Sequence, residues 1–289
     1  MTFEYGASST DPEAWHEERR GMVTASEIAR LAHSGKAGWA SLKAEKAGGD
    51  RWAGNQHTRW GHEREPIIAE RMSRKYPWLK PNDRVVSQSA DPRWGATPDM
   101  IGESHSMLCQ IKTAKLTGKP WSEPPPTYYD QCLWELWVTG FDTNVLVVEY
   151  YEDDPVFQFR VADPDLYEFE ITRDEDRIAE LVEVAESFLA MGDPSPFDLY
   201  LADYARGEEL ERSGAEIKAA ARELIEKEIG DRAAFKFVSD AGSISLTTPK
   251  PSKRFDAKAL EADDPDLYGR YVKESQGKPR LTIRPEGVA

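Results

Sequence analysis

The stretch from Gly95 to Lys115 constrains the fold of this chain most strongly, because it has the pattern of a β-hairpin with reactive side chains. After a polar turn, Met107–Thr113 alternates as a strand, so that Gln110 and Lys112 share one face. Closure of the hairpin would bring Asp99 beside both side chains. An acid, an amide oxygen and an ammonium group so arranged could hold a hard divalent cation and orient a water against a phosphodiester. An Asp at this distance from a Q-x-K also arises often by chance. Whether these three residues are catalytic therefore depends on the other motifs of the chain.

Length and composition predict a soluble globular protein. The chain has 289 residues, 39% of them hydrophobic, with nine Trp, which suffices for one large domain or two smaller ones. No apolar run approaches the roughly 18 to 20 residues of a membrane span, and the N-terminus lacks the form of a signal peptide. We therefore expect a cytoplasmic protein. Cys109 and Cys132 fit small buried residues in a reducing compartment.

The net charge of −15 argues against a nucleic acid as partner, since a phosphate-binding surface is usually basic. The acidity, however, belongs to the second half. Residues 1–130 carry 18 Lys and Arg against 17 Asp and Glu, and residues 131–289 carry 19 against 35. Our hypothesis is a local basic groove in the first half. A merely acidic soluble protein is the alternative, and composition alone slightly favours it.

The region around Thr24 has the pattern of a helix start that could seat a phosphate. Thr24 and Glu27 fit a capping box, and the helix N-terminus would offer N–H groups and the Ser26 hydroxyl, with Arg19 supplying charge. An ordinary capped helix explains the same residues. Four basic residues nearby could line a DNA path, although a solvated helix face explains them equally well: Lys36, Lys43, Lys46 and Arg51.

Hydrophobic periodicity predicts the remaining elements and two domains. The pattern predicts helices over Glu65–Tyr76, with Pro66 in the first turn, and over Tyr128–Thr139, then strands over Val145–Tyr151 and Val156–Val161. Thr172–Glu175 predicts a second capping box that opens a helix ending near Gly192. Residues 1–194 then form one domain. Residues 195–289 form a small α+β extension of unknown role, with a helix from Gly207 to Gly230 and a hairpin around Ala241-Gly242.

The order of these signals resembles the lambda exonuclease and YqaJ-like phage recombinase family, within the PD-(D/E)XK nuclease superfamily. The resemblance covers roughly residues 13 to 192. It depends on many weak signals in one order: Trp15-His16, Arg19, Thr24-Ala25-Ser26, Trp60-Gly61, Glu65-Pro66, Thr97-Pro98-Asp99, Gln110-Ile111-Lys112, Tyr128, Gln131 and Val138-Thr139-Gly140.

The resemblance implies an α/β (α+β) fold of the restriction-endonuclease-like type, in which helices flank a central mixed β-sheet. It also implies the site residues. Mg²⁺, with Mn²⁺ as a substitute, would be held by Glu65, Asp99, the Gln110 side-chain oxygen and the Ile111 carbonyl. Lys112 and Gln131 would complete the catalytic set. Arg19 and Ser26 match the positions that hold a terminal 5′-phosphate of DNA.

The function implied is 5′-to-3′ degradation of one strand at double-stranded DNA ends, in phage recombination by single-strand annealing. An annealing protein would be the partner, and a ring-shaped trimer could enclose the DNA. One departure stands out, because Gln110 lies where the superfamily normally has an acid. Two alternatives follow: a catalytically weak or silent DNA-binding protein, and a nuclease of different polarity. No GxSxG, P-loop or Cys/His cluster supports other chemistry.

Overall fold

The computed structural model describes residues 3–47, 56–154, 156–248, 252, 255–273 and 281–284. These residues form two compact units, one reaching to Ala205 and the other running from Arg206 to Arg284. The division falls inside a helix, whereas the sequence placed a domain boundary after residue 194. Among the helices that the structure describes, none is long and apolar enough to cross a membrane.

The first unit alternates helices and strands along the chain. Its elements are β1 (Phe3–Ser8), α1 (Pro12–Arg20), α2 (Ala25–Ala32), α3 (Lys36–Lys46), α4 (Gln56–Lys75), β2 (Lys80–Pro81), β3 (Arg84–Gln88), β4 (Asp91–Ala96), β5 (Met100–Gly102), β6 (Met107–Lys115), α5 (Pro126–Thr139), β7 (Thr143–Asp154), β8 (Gln158–Val161), β9 (Tyr167–Thr172) and α6 (Glu175–Ala190). Helix α7 (Pro196–Ile229) follows.

The central sheet has the order β2-β5-β6-β7-β8, and β9 also pairs with β7. Strands β5 and β6 form the predicted antiparallel hairpin, while β6 and β7 run parallel. A parallel pair needs a long crossover, which α5 provides. The expected mixed sheet flanked by helices is therefore confirmed. Strands β1, β3 and β4 form a separate antiparallel sheet.

Helices α4 and α5 cover opposite faces of β6 and β7, as the period-two alternation of the strands requires. Side chains on α4 pack with those of Cys109, Ile111, Val145 and Val147. Side chains on α5 pack with those of Leu108, Leu146, Val148 and Tyr150. Both cysteines are free and buried, as predicted. Gln110 and Lys112 thus project on the face that α5 covers.

The predicted starts of two helices in the first unit are wrong. Pro66 lies inside α4, which is helical from Gln56, and does not occupy a first turn. The amphipathic pattern before Pro66 is weak, so the proline determined where the helix was predicted to start. Thr172 ends strand β9 instead of capping α6, whose N-cap is Asp174, with its carboxylate accepting from Arg177 N–H at 3.0 Å. Strand β9 itself was not predicted.

A buried ion pair joins α4 to β7. Glu149 is fully buried and accepts hydrogen bonds from Arg64 Nε at 2.6 Å and Nη2 at 2.7 Å. Arg71 Nη1 lies 4.0 Å from the same carboxylate. These contacts fix α4, and with it Glu65, against the sheet.

We expect Arg64→Met to lower the free energy of unfolding by about 3 kcal/mol, because it leaves the Glu149 charge buried and without its bidentate partner. The matched control is Arg74→Met on the same helix, which removes an exposed pair with Glu70 and should change stability by less than about 0.5 kcal/mol. Urea denaturation of the two variants measures both values. Equal effects would contradict a structural role for the buried pair.

The second unit contains most of α7 and a small α+β region. Strands β10 (Phe235–Ser239) and β11 (Gly242–Leu246) form the predicted antiparallel hairpin, and the turn residue Gly242 has φ 138°, a conformation that favours glycine. Short helices α8 (Ala257–Asp263) and α9 (Pro265–Tyr271) follow. Helix α7 begins at Pro196, earlier than the predicted Gly207.

Candidate active site

The turn Thr97-Pro98-Asp99 connects β4 to β5 and carries the central acid of the site. Asn82 fixes this turn from the neighbouring segment. Its backbone N–H donates to Asp99 O at 2.9 Å, and its Nδ2 donates to Pro98 O at 2.9 Å. The backbone of the turn is therefore held by hydrogen bonds on its own, before any ligand binds.

Asp99 lies directly opposite Gln110, because the β5–β6 register pairs Met100 with Cys109. One carboxylate oxygen, Asp99 Oδ2, accepts from Gln110 Nε2 at 2.6 Å and from Ile111 N–H at 2.6 Å. In an extended strand the N–H and C=O of one residue point to the same side. The Ile111 carbonyl therefore also points toward Asp99, at a level where β5 no longer pairs with β6.

Burial raises the pKa of Asp99 to about 7. The Lys112 ammonium lowers this pKa, the nearby Glu65 carboxylate raises it further, and the Ile111 N–H lowers it. Glu65 and Lys112 therefore both lie near enough to Asp99 to act on its charge, although they come from separate elements. Lys112 Nζ also lies over the Tyr128 ring, 5.3 Å from its centroid.

Gln131 on α5 is buried, and its Nε2 donates to Glu135 Oε1 at 3.1 Å. Glu135 Oε2 accepts from Asn144 Nδ2 at 2.8 Å. Burial raises the pKa of Glu135 to about 8, with Asp99 as the second cause. Sequence reasoning missed Glu135 and Asn144. The available signal was that Glu135 lies one helical turn after Gln131, on the same face.

Arg19 and the start of helix α2 lie beside the Thr97-Pro98-Asp99 turn. Arg19 Nη1 donates to Thr97 Oγ1 at 3.0 Å, and the Trp15 ring packs on the guanidinium at 4.2 Å. Backbone hydrogen bonds join Val23 to β4, which places the start of α2 beside the end of that strand. Thr97 was also missed, although it directly precedes Pro98-Asp99.

The predicted capping box at the start of α2 is confirmed, with Thr24 as the N-cap residue and Glu27 three residues later. Thr24 N–H donates to Glu27 Oε2 at 2.9 Å. Ser26 is exposed in the first turn of α2, so its hydroxyl is accessible to solvent.

The lysines of α3 contact other groups of the protein. Lys43 Nζ donates to Met191 O, Lys46 Nζ pairs with Glu27 at 2.9 Å, and Lys36 Nζ lies over the Trp39 ring at 3.6 Å. These contacts anchor α3, which favours the structural explanation of the lysines. Arg51 lies outside the described residues.

The donor set fits a hard divalent cation such as Mg²⁺. Gln110 Oε1 is buried and lacks a hydrogen-bond partner within the described part of the chain, while its amide nitrogen holds Asp99. Glu65, Asp99 and the Ile111 carbonyl would add further oxygens. Among the described residues no group of three His, Cys, Asp or Glu side chains could hold a metal ion. Gln110 is not one of these residue types, so the set contains only two carboxylates, Glu65 and Asp99.

The solved structures similar to this chain include the alkaline exonuclease LHK-Exo from Laribacter hongkongensis, with 22% identity over 71% of this chain and 99% of that chain and a TM-score of 0.47. Its complex with dAMP gives 21% identity, the same coverage and the same TM-score. A phage-related exonuclease from Haemophilus somnus 129PT gives 15% identity over 58% and 91%, with a TM-score of 0.46.

No curated protein matches the chain. Residues 14–142 match the model of the YqaJ-like viral recombinase domain. The match includes Arg19, Glu65, Asp99, Lys112 and Gln131, and it ends before residue 192, where the motifs had placed the end of the resemblance. This match confirms the resemblance to the YqaJ-like recombinase family that the motifs predicted.

Proposed function

We propose that this chain is a Mg²⁺-dependent DNA exonuclease that degrades one strand of linear duplex DNA from its 5′ end. The observation that carries the proposal is the arrangement around Asp99. Gln110 and Ile111 both bind Asp99 Oδ2, the Gln110 oxygen remains unpaired among the described residues, and Lys112 acts on the same carboxylate. The match to the recombinase domain supports the same class of substrate.

Hydrolysis would add water to the phosphorus and break the P–O3′ bond, leaving a new 5′-phosphate on the shortened strand. Glu65, Asp99, the Gln110 side-chain oxygen and the Ile111 carbonyl would hold Mg²⁺, with Mn²⁺ as a substitute. When bound, the cation would polarise the phosphate and lower the pKa of a water ligand. Lys112 would orient that water and stabilise the charge that develops on the phosphate oxygens. Gln131 would help to orient the water or the strand.

Arg19, Thr97 and the start of α2 would anchor the terminal 5′-phosphate. A guanidinium, two hydroxyl groups and free helix N–H groups form a suitable anion site. Arg19 donates a hydrogen bond to Thr97, two residues before Asp99 in the chain, and this contact supports an anchor close to the site. Such an anchor favours DNA ends over internal sites and sets 5′-to-3′ polarity.

We expect Arg19→Ala to remove most of the preference for a 5′-phosphate, because the phosphate loses its charge-assisted hydrogen bonds. The rate on a 5′-phosphorylated duplex should fall about tenfold or more, while the rate on a 5′-hydroxyl duplex changes little. End-labelled duplexes of both kinds measure the ratio. Arg20→Ala is the matched control, since Arg20 is exposed and pairs with Glu17. An unchanged ratio in Arg19→Ala would rule out the anchor.

A catalytically silent DNA-binding protein is the second candidate, and the neutral Gln110 is the observation that favours it. Titration of Mg²⁺ and Mn²⁺ into wild-type protein with linear 5′-phosphorylated duplex separates the two. We expect metal-dependent release of nucleotides. Release no greater than that of Lys112→Ala and Asp99→Asn would favour the silent protein, and release from the 3′ end would favour the opposite polarity.

The resemblance also supports a single-strand annealing protein as partner and a ring-shaped trimer around the DNA. Both are proposals that concern assembly beyond one chain. Light scattering of the purified protein gives its mass in solution, and a mass other than that of three chains would exclude the trimer.

A further inference from the structure

Glu135 is a fully buried acid in α5 whose side chain is bound by two neutral amides. Gln131 Nε2 donates to one carboxylate oxygen and Asn144 Nδ2 to the other. Burial of a carboxylate without a paired cation is unfavourable, so a buried acid of this kind marks a candidate functional position. The two hydrogen bonds offset part of the cost of burying the charged form of Glu135.

The register of the sheet places Glu135 beside Gln110. Asn144 pairs with Leu108 in the parallel register of β6 and β7, and Leu146 pairs with Gln110. Asn144 reaches Glu135 from the sheet face that α5 covers, and Gln110 projects from the same face, two residues after Leu108. The Glu135 side chain therefore lies between α5 and the sheet, next to the segment of β6 that bears Gln110.

The charges of this region act on one another. Asp99 raises the pKa of Glu135, whereas Lys112 lowers it. Glu135 is thus within electrostatic reach of the two groups that would meet the cation and the phosphate. It makes no hydrogen bond to either of them among the described contacts, so its effect would act through space and through Gln131.

We propose that Glu135, on the side of α5 that faces the sheet, supplies the negative charge that the site lacks at Gln110. The proposal rests on the proposed function, because it concerns the cation of that same site. Glu135 would be a positioning residue and not a ligand. The arrangement leaves the Gln110 amide nitrogen to hold Asp99, which a carboxylate at position 110 could not do.

An exchange of charge between the two positions tests the proposal. Mg²⁺ binding is measured by calorimetry on the DNA-free protein at pH 8.5, above the raised pKa of Glu135. Glu135→Gln removes the buried charge and should weaken Mg²⁺ binding about tenfold, and Gln110→Glu should strengthen it by a similar factor. The double variant, Gln110→Glu with Glu135→Gln, should bind Mg²⁺ within about threefold of wild type.

Thr139→Val is the matched control. Thr139 is buried one turn further along α5, and its hydroxyl donates to the backbone carbonyl of Glu135 at 2.8 Å. This variant disturbs the same helix but leaves the carboxylate in place, so its Mg²⁺ affinity should stay within about twofold. The rise in Tm on adding Mg²⁺ provides a second readout, and it should be smaller for Glu135→Gln than for wild type.

The outcomes separate this proposal from the proposed function. If wild type binds Mg²⁺ and Glu135→Gln binds it equally well, or if the double variant stays as weak as Glu135→Gln, the role of Glu135 is refuted and the metal site stands. If Gln131→Ala weakens Mg²⁺ binding as much as Glu135→Gln does, the effect belongs to Gln131 and the charge proposal is refuted. If neither wild type nor Gln110→Glu binds Mg²⁺, both proposals fail.

Discussion

Replacement of Lys112 by alanine is expected to lower the rate of nucleotide release about 10²- to 10³-fold while leaving the fold intact. Lys112 is partly exposed on β6 and acts on Asp99 through its charge. Loss of one preorganised donor aimed at the developing charge typically has an effect of this size. Single-turnover cleavage of linear duplex at saturating Mg²⁺ measures it, with circular dichroism and Tm as checks on folding.

The control for this variant lies three residues along the same strand. Lys115 is exposed and pairs with Asp153 at 2.6 Å, so Lys115→Ala removes the same charge from β6 without touching the site. We expect its rate to stay within about threefold of wild type. Comparable losses in the two variants would mean that general attraction of DNA, and not the position of Lys112, determines the rate.

Asp99→Asn is expected to abolish nucleotide release and at the same time to stabilise the metal-free protein. Asparagine keeps an oxygen that can accept from Gln110 and Ile111 but removes the carboxylate that would bind the cation. Burial has raised the pKa of Asp99 to about 7, so its ionisation is unfavourable in the folded state. We expect the variant to gain about 1 to 3 kcal/mol in the free energy of unfolding at pH 8, with EDTA present.

The sign of this effect determines its pH dependence. A carboxyl group whose folded-state pKa lies above the unfolded value of about 3.9 favours folding only while it is protonated. The stability of wild type relative to Asp99→Asn should therefore fall as the pH rises from about 4 to 7 and stay constant above that range. Urea denaturation of both proteins at pH 5 and pH 8 measures the difference. An equal difference at the two pH values would contradict a raised pKa for Asp99.

The hairpin was predictable from sequence because a strand pattern of period two fixes which side chains share a face. Met107–Thr113 alternates clearly, so the approach of Asp99 to Gln110 and Lys112 followed from register alone. The contribution of Glu65 did not follow from any local pattern. It depends on the packing of α4 against β7 through Arg64 and Glu149, which are distant in sequence.

Helix and strand ends were predicted less well where several residues competed for the same role. Thr172 was predicted as a cap because a hydroxyl three residues before Glu175 fits the capping box. In the structure Thr172 instead pairs with Thr143 and forms the last residue of β9. Tertiary hydrogen bonds outweighed the local preference there. Glu135 was overlooked for a related reason, since its meaning depends on Asn144 from the following strand.

The hydrogen bond between Arg19 and Thr97 has a consequence for the length of the product. Thr97 and Asp99 are two residues apart, so their Cα atoms lie within about 7 Å of each other. Arg19 contacts the first of these two residues. A terminal phosphate held at Arg19 would leave room for a single nucleoside before the scissile bond. The protein would then release mononucleotides. After each cut the new terminal 5′-phosphate would bind the same anchor, and the same short turn would again determine which bond is cut.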